Sequence, residues 1–475
     1  MSLSAFIQRS TDAILGASRL DQAISMSRFL GDLLWKNSIG QYELAQLESS
    51  LLQKYGDQFH ATGHPVRRCE YLHVLTKAYD TGGHTRVVEH LLSSSALAEA
   101  GVLITETIQL NALQKLSKAK YGCALLPKQK QAGSRQKIQS MIDVFAQHAT
   151  IILHIHPYDI EAVLAAALAR TFFGVKVFLY NHADHVFSYG HGVADRVLEV
   201  SYFGWSLRIR RNVEHKSVFA GIPLKLPEQQ MNRVQAAPNL AYLASAGTAY
   251  KYKPNKEFSF PQFVQKFAQA SESRLVLIGP RPARNWWWWG TRLKLRSRIE
   301  FHARMPHDKY LDFIHNATAY VDSFPLTGGT AFPEIFSLGV PSFGVLTGSH
   351  GYSPADQLKS SDVPALVRDL ADFLAVQQRK ELETAAILAQ IHEAHRIENV
   401  ADRISYAYDL NKGEKQPPWT NPGTIDPCFY EKIWLSGNGA GIPVHTLPSF
   451  KLMWLFLIYW KQARFGEKQD PGRSA

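Results

Sequence analysis

The sequence has few cysteines and no long apolar run. Its three cysteines, Cys69, Cys123 and Cys428, are far apart, so they predict neither a disulfide framework nor a paired metal site, and they favour a reducing compartment. The longest purely apolar run, 452–460, is far too short to span a bilayer. The N-terminus has no basic-then-apolar signal region, so we expect a cytoplasmic protein.

Low-complexity tracts are also missing, and 45% of the residues are hydrophobic, which indicates a folded globular protein. At 475 residues the chain exceeds one ordinary core and predicts two or three domains. Acidic residues are the minority, since 52 Lys and Arg against 41 Asp and Glu give a net charge of +11. This excess favours an anionic partner such as a nucleotide, a phosphate or an anionic lipid. Nucleic acid is disfavoured, because the basic residues are spread out and no recognition module is present.

Strand patterns alternate with helix patterns along most of the chain. Apolar runs such as 71–79, 150–157 and 274–280 are typical of buried strands, and the stretches between several of them are amphipathic. We therefore expect an α/β protein with two Rossmann-like parallel sheets. The expected divisions are a helical extension over 1–65, a first domain over 66–223, a linker over 224–239, a second domain over 240–412 and a tail over 413–475.

Two such sheets imply a cleft between their carboxyl ends, where these folds bind ligands. A dehydrogenase is disfavoured, because no G-x-G-x-x-G follows the first strand.

The stretch VDSFPLTGGTAFPEIFSLGVP (321–341) predicts a strand, a glycine turn and a helix. Thr330 is expected to cap the helix with its hydroxyl, and Gly328 and Gly329 allow a ligand to approach the turn. A free helix start binds phosphate, and Glu334, one turn later, is placed to accept the hydroxyls of a ribose. A nucleoside diphosphate fits this arrangement. The alternative is an ordinary strand, turn and helix whose glycines only permit tight packing.

The same stretch resembles the nucleotide-binding motif of O-linked N-acetylglucosamine transferases and bacterial cytoplasmic protein N-glucosyltransferases. The residues that carry the resemblance are Asp322, Pro325, Gly328, Thr330, Glu334, Gly339 and Pro341. Thr248 and Lys251 in SAGTAYKYKP are similar to the Thr and Lys that those enzymes use on the diphosphate. The stretch 299–325, which includes His302, resembles their base-reading loop and the helix that follows it. The family usually has other residues where this chain has Ala331 and Glu334, so the base and the sugar stay open.

The resemblance implies the two-domain nucleotide-sugar glycosyltransferase fold, known as GT-B. It implies a UDP-sugar donor carrying N-acetylglucosamine or a hexose, no bound metal or other cofactor, and transfer to an acceptor hydroxyl, which we expect to proceed with inversion. The residues expected at the nucleotide-sugar are Gly83, Gly247, Thr248, Lys251, His302, Thr327, Gly328, Gly329, Thr330 and Glu334. A UDP-sugar 2-epimerase of the same fold and a non-catalytic partner subunit stay open as alternatives.

A second glycine turn, in YDTGGHTRVVEHLL (79–92), is predicted to join the first strand of the first domain to its first helix. His84 would then stand at a helix start facing the cleft, and it is the candidate general base, with Asp80 in reserve. The alternatives are that both residues only brace the turn, or that the loop binds phosphate through its N–H groups.

The stretch YNHADHVF (180–187) brings further histidines to a strand end. His182, Asp184 and His185, together with His156 of the HIH triplet, are expected to line the sugar and acceptor site, as similar stretches do in the family. A metal site built from these histidines is disfavoured, because strand-end histidines have no fixed ligand spacing.

Two aromatic stretches with basic neighbours, 281–298 and 449–465, are the features that bear on the acceptor. The first holds four consecutive tryptophans at 286–289. Such composition favours a membrane interface, against a packing or carbohydrate loop for the first stretch and a helix docked on the core for the second. We therefore expect a peripheral membrane enzyme whose acceptor is a lipid-linked glycan of a bacterial surface polysaccharide, with a protein acceptor as the second choice.

Overall fold

Three helices precede the first strand in the computed structural model, which describes residues 1–63, 69–80, 82–126, 133–228, 242–376, 381–437 and 440–465. They are α1 (Leu3–Leu15), α2 (Leu20–Lys36) and α3 (Ala45–Tyr55). Their apolar residues recur at helical spacing, and Phe6, Phe29 and Leu51 are fully buried in a core shared with the first sheet. The N-terminal helices therefore cover one face of that sheet.

The first sheet has seven parallel strands in the order β3-β2-β1-β4-β5-β6-β7. The strands are β1 (Cys69–Ala78), β2 (Ala100–Ile108), β3 (Cys123–Leu125), β4 (His148–His154), β5 (Lys176–Tyr180), β6 (Arg196–Glu199) and β7 (Ser217–Phe219). The helices between them are α4 (Gly83–Leu91), α5 (Leu110–Leu116), α6 (Ser134–Phe145), α7 (Ile160–Phe173) and α8 (Tyr202–Leu207). The strand order reverses between β1 and β4, which opens a crevice at their carboxyl ends.

The second sheet has five parallel strands in the order β10-β9-β8-β11-β12. The strands are β8 (Tyr242–Ala246), β9 (Arg274–Ile278), β10 (Ile299–His302), β11 (Ala319–Val321) and β12 (Ser342–Phe343). The helices between them are α9 (Phe260–Ala270), α10 (Trp289–Leu295), α11 (His307–His315) and α12 (Ala331–Ser337). The order reverses between β8 and β11, so this sheet has a crevice of its own. The predicted α/β fold with two parallel sheets is confirmed.

Five more helices follow the second sheet: α13 (Val363–Val376), α14 (Glu381–His395), α15 (Ile397–Ala407), α16 (Phe429–Ser436) and α17 (Phe450–Phe465). Helix α15 returns to the first sheet, where Val400 and Ile404 are buried beside Phe178 and Leu198. The expected second domain, 240–412, thus includes a helix that packs on the first. Of the expected linker, 224–239, the part from residue 229 onwards lies outside the described residues.

Helix α17 docks on the N-terminal helices. Leu452, Leu455 and Phe456 are buried in the core that contains Phe6, and the rings of Phe6 and Tyr459 stack with centroids 5.5 Å apart. This is the docked arrangement that the sequence left as one of two alternatives. Across the described ranges, no helix combines the length and the hydropathy needed to cross a bilayer.

Candidate functional site

The glycine turn after β11 is closed around Asp322. The carboxylate of this buried residue accepts hydrogen bonds from the Thr327 hydroxyl at 2.7 Å and from the Gly328 amide at 2.8 Å. A Cβ atom on Gly328 would lie 2.2 Å from the Asp322 Oδ1 atom, and Gly329 has a φ of +64°. Both glycines are therefore required by the backbone itself, whatever the turn binds.

Lys359 holds the Asp322 carboxylate from behind. Its Nζ lies 2.8 Å from Asp322, 2.7 Å from Asp356 and 2.6 Å from the Thr327 hydroxyl, and all four residues are buried. Burial alone would lower the pKa of Lys359, but the two carboxylates raise it above its ordinary value. This fixed network makes the turn a rigid part of the second domain.

Replacing Gly328 by alanine is expected to disrupt the turn. The added methyl would overlap the Asp322 carboxylate, which cannot retreat from Lys359, so we expect the free energy of unfolding to fall by about 1–3 kcal/mol. Denaturant unfolding measures this loss. Gly290→Ala is the matched control, because a Cβ atom there meets nothing within 4 Å. Equal stability of the two variants would contradict the proposed packing of the turn.

The helix after the turn begins differently from the expectation. Thr330 occupies the position before α12, but its backbone is helical, with φ of −70° and ψ of −32°, and its side chain makes no capping hydrogen bond. The predicted cap is therefore wrong, because a capping hydroxyl needs an extended backbone to reach back to the helix N–H groups. Helix α12 has seven residues, so an anion predicted at this turn would depend mainly on charged side chains.

Lys251 brings that charge to the turn. It lies in a short 3₁₀ helix, Ala249–Tyr252, that follows β8 and Gly247. Its Nζ donates a 2.7 Å hydrogen bond to the Thr327 carbonyl, and burial lowers its pKa. The two motifs that the sequence placed at the diphosphate are thus in contact, and exposed Thr248 stands beside them at the start of the 3₁₀ helix.

Gly247, His302 and Gly83 lie at the ends of strands or helices. A Cβ atom on Gly247 would press on Tyr252 at 3.3 Å, whereas one on Gly83 would meet nothing within 4 Å. His302 ends β10, and its Nε2 lies 2.8 Å from Glu300 Oε1. Their roles at a nucleotide-sugar stay predictions.

His84 stands in the first turn of α4, as expected. Its Nδ1 lies 3.1 Å from the His154 carbonyl oxygen. A carbonyl only accepts, so Nδ1 carries the proton and Nε2 of the neutral ring is left with a free lone pair. Burial lowers the pKa of His84 to about 4, which keeps the ring neutral at pH 7. Its ring stacks on His182 with centroids 4.0 Å apart.

A chain of three imidazoles lies beneath His84. His73 Nδ1 is 3.0 Å from His154 Nε2, and His154 Nδ1 is 2.9 Å from His182 Nε2. Burial lowers the pKa of each of the three rings, so each is neutral and carries one N–H. This row of hydrogen-bonded imidazoles fixes the orientation of the His182 ring that stacks on His84.

Asp80 and His156, two further residues predicted at the site, pack against α5 and Trp35, respectively. The Asp80 carboxylate accepts from the Asn111 side chain at 3.1 Å and from the Ala112 amide at 3.0 Å, so it caps the start of α5. This matches the bracing role that the sequence left open for it. The ring of His156 lies 4.4 Å from that of Trp35, and burial lowers its pKa to about 2.

Asp184 joins the two domains. Its buried carboxylate accepts from the Tyr352 hydroxyl at 3.0 Å, bonds Ser201, and lies 2.9 Å from His185 Nδ1. A sugar hydroxyl would have to compete with these partners, so the expected contact of Asp184 and His185 with the sugar or acceptor stays a prediction.

A second contact between the domains is the ion pair of Arg86 with Glu334. Arg86 lies on α4, two residues after His84, and Glu334 lies on α12 after the glycine turn. The Glu334 side chain is 7% exposed and that of Arg86 is 32% exposed. The candidate base and the predicted ribose ligand are thus held on facing sides of one cleft. Within the described part of the chain, no group of three His, Cys, Asp or Glu residues could hold a metal ion.

Sequence reasoning missed Lys359, Arg86, Tyr352 and the pairing of His73 with His154. Lys359 stands in a polar stretch that resembles exposed surface, and two of its three partners, Asp322 and Thr327, lie more than 30 residues earlier in the sequence. The His73 pairing depends on register: β1 and β4 align Leu75 with His154, which makes His73 its diagonal neighbour on the same face. That signal becomes readable only once the parallel pairing is known.

Comparisons with known proteins identify the fold. No family model and no curated protein matches the sequence. Among solved structures, the chain is similar to HepE of Anabaena in complex with UDP, with a TM-score of 0.52 and 11% identity over 71% of this chain and 98% of that chain. HepE with UDP and glucose gives a TM-score of 0.51 and 12% identity over 71% of this chain and 99% of that chain. An O-GlcNAc transferase of Thermobaculum terrenum gives 0.51 and 11% over 86% of this chain and 83% of that chain.

At these identities the likeness shows the fold alone. The chain has the GT-B fold, with two Rossmann-like sheets whose carboxyl ends border one cleft. Because one fold can host several activities, the activity of this chain depends on the residues in the cleft.

Proposed function

We propose that the chain is a glycosyltransferase that moves a sugar from a UDP-sugar to an acceptor hydroxyl. The observation that carries the proposal is the ion pair of Arg86 with Glu334, which joins α4, the helix of His84, to α12, the helix that follows the Asp322 turn. One side offers a neutral base and the other a rigid glycine turn with a lysine. Transfer from a nucleoside diphosphate needs both.

The donor would lie on the second domain. Its diphosphate would meet the glycine turn and Lys251, whose ammonium is already held at the Thr327 carbonyl. A preorganised cation stabilises the charge that develops on the departing diphosphate without further rearrangement. The ribose would reach Glu334, whose carboxylate accepts hydrogen bonds from the ribose hydroxyls once Arg86 shares it or moves aside.

The acceptor would lie on the first domain. The free Nε2 of His84 takes the acceptor proton as the oxygen attacks the sugar carbon and the UDP oxygen leaves. A bound diphosphate would raise the low pKa of His84 towards neutrality, because a nearby negative charge favours the protonated ring. Attack from the face opposite the leaving group inverts the sugar carbon and requires no metal ion. We propose a lipid-linked glycan as the acceptor, with protein as the second choice.

A UDP-sugar 2-epimerase is the rival on the same fold, and a non-catalytic subunit is the second alternative. Donor binding and product analysis distinguish the glycosyltransferase, the epimerase and the non-catalytic subunit. The purified protein is incubated with UDP, UDP-glucose and UDP-N-acetylglucosamine, and the rise in melting temperature identifies the donor. Product analysis then follows with the donor alone and with the donor plus a lipid-linked glycan acceptor. Conversion to a 2-epimer without acceptor supports the epimerase, and binding with neither epimer nor transfer supports the subunit.

The contact with the donor ribose is tested by Glu334→Ala. A hydrogen bond to a charged group contributes about 1.5–3 kcal/mol, so we expect UDP affinity to fall by about 10- to 100-fold in calorimetry. Glu272→Ala, at an exposed position of the same domain, is the control and should bind as wild type does. Arg86→Ala should not weaken UDP binding, because Arg86 occupies the carboxylate that the ribose needs. Wild-type affinity in Glu334→Ala would remove the residue from the donor site.

A further inference from the structure

The outer face of α17 is apolar. While one face of this helix is buried on the N-terminal helices, Phe450, Trp454 and Leu457 are 79%, 61% and 46% exposed. The spacings of four and three residues place them on one face of the helix. Docking on the core therefore accounts for only half of the apolar residues of α17.

The loop that leads into α17 is apolar as well. Ile442, Val444 and Leu447 are each at least two-thirds exposed. A soluble monomer seldom leaves so many large apolar side chains in one segment facing water, and such a cluster marks a surface that binds something.

The charges of this segment indicate what it binds. Residues 440–465 contain no Asp or Glu, whereas Lys451, Lys461 and Arg464 are basic. Lys461 follows Trp454 by seven residues and extends the same face. Lysine is depleted from the centres of protein interfaces, but Trp beside Lys or Arg is typical of the membrane–water boundary. The pattern is complementary to an anionic lipid surface.

The other aromatic stretch fits this role less well. Trp288 is fully buried in the core of the second domain, and Trp287 packs against that core. Trp286 and Trp289 face outwards, and the Trp289 indole donates to the Pro282 carbonyl at 2.7 Å. The expectation that the whole 286–289 run lies at a headgroup layer is therefore wrong for its centre, which serves packing.

We propose that the outer face of α17 and the loop 442–449 dock on an anionic lipid surface, with the helix lying in the plane of the membrane. Its 16 residues are too few to span the hydrocarbon core, and its exposed apolar face with basic neighbours suits the interface. Because α17 packs on α1, the surface belongs to the side of the first domain. The inference rests on the proposed function only where it places the cleft near a lipid-linked acceptor.

Vesicle co-sedimentation tests the surface. The full chain should pellet with vesicles of phosphatidylglycerol and phosphatidylcholine in equal parts, less so in high salt, and little with phosphatidylcholine alone. The triple variant Phe450→Ser, Trp454→Ser, Leu457→Ser should bind at least tenfold more weakly. The double variant Trp286→Ser, Trp289→Ser is the matched control and should pellet as wild type does.

Three outcomes would overturn the proposal. The first is a wild-type protein that stays in the supernatant at low salt, and the second is a triple variant that pellets fully. The third is a wild-type dimer in light scattering that the triple variant converts to monomer, since the face would then be covered by a second copy. UDP calorimetry on each variant shows whether the protein is folded and binds the donor, independently of lipid binding. A failure of the membrane proposal therefore leaves the proposed sugar transfer standing.

Discussion

Replacement of His84 by alanine is expected to lower the rate of sugar transfer by about 10²–10⁴-fold and to leave UDP affinity unchanged, because the residue acts on the acceptor proton. The ring is neutral at pH 7, and its Nδ1 proton is committed to the His154 carbonyl. Its Nε2 is therefore the atom that accepts. The measurement is the initial rate of transfer at saturating donor, with calorimetry for UDP.

Two further variants distinguish a general base from a residue that only holds the turn in place. In His84→Gln the side-chain amide can still donate to the His154 carbonyl but cannot take up a proton, so transfer should stay as slow as in His84→Ala. His90→Ala is the matched control, since His90 lies on the same helix and its Nδ1 also bonds a carbonyl, that of Pro223 at 2.8 Å. Recovery of activity in His84→Gln would show that the residue only holds the turn, and the base would have to be sought at 182–185.

The fold was accessible from the sequence because its signals are local. Buried strands such as β2 and β4 are short runs rich in β-branched residues, and helical patterns separate most of the strands, which leaves parallel pairing as the simplest arrangement. Helix α15 shows where local signals end. Its apolar face predicts that it packs, but not that Val400 and Ile404 meet the first sheet, since amphipathicity carries no information about the partner.

The candidate site could likewise be predicted from the sequence only where the signal is local. The glycines at 328 and 329 could be identified because a backbone constraint leaves a mark on residue type. The partners of their turn could not, because a buried Lys359 is recognised only by the two carboxylates that surround it. Arg86 is a similar case: its neighbour His84 was identified from the loop, but the ion pair with Glu334 depends on how the two domains close.

Acid should destabilise the protein well before its exposed carboxylates are protonated. Burial depresses the pKa of several histidines, to about 4 for His73 and His84 and well below the ordinary value for His154 and His182. An unfolded histidine binds a proton below about pH 6.5, whereas folded His73 and His84 do not until the pH nears 4. The unfolded state therefore binds more protons in that window. Each such histidine removes up to about 1.4 kcal/mol of the free energy of unfolding per pH unit.

Two buried carboxylates act in the opposite direction. Burial raises the pKa of Glu48 to about 7 and also raises the pKa of Glu199, so the folded state takes up protons there as the pH falls, and together these gains offset at most about two histidines. Because four histidines in and below the candidate site have lowered pKa values, the net effect of acid is a loss in the free energy of unfolding. Calorimetry should show the melting temperature falling steadily from about pH 7 to about pH 5. His73→Phe should flatten that slope and Glu48→Gln should steepen it, while His215→Asn, at an exposed position, should leave it unchanged. A melting temperature that is level across this window would mean that these imidazoles are not held neutral in the folded protein.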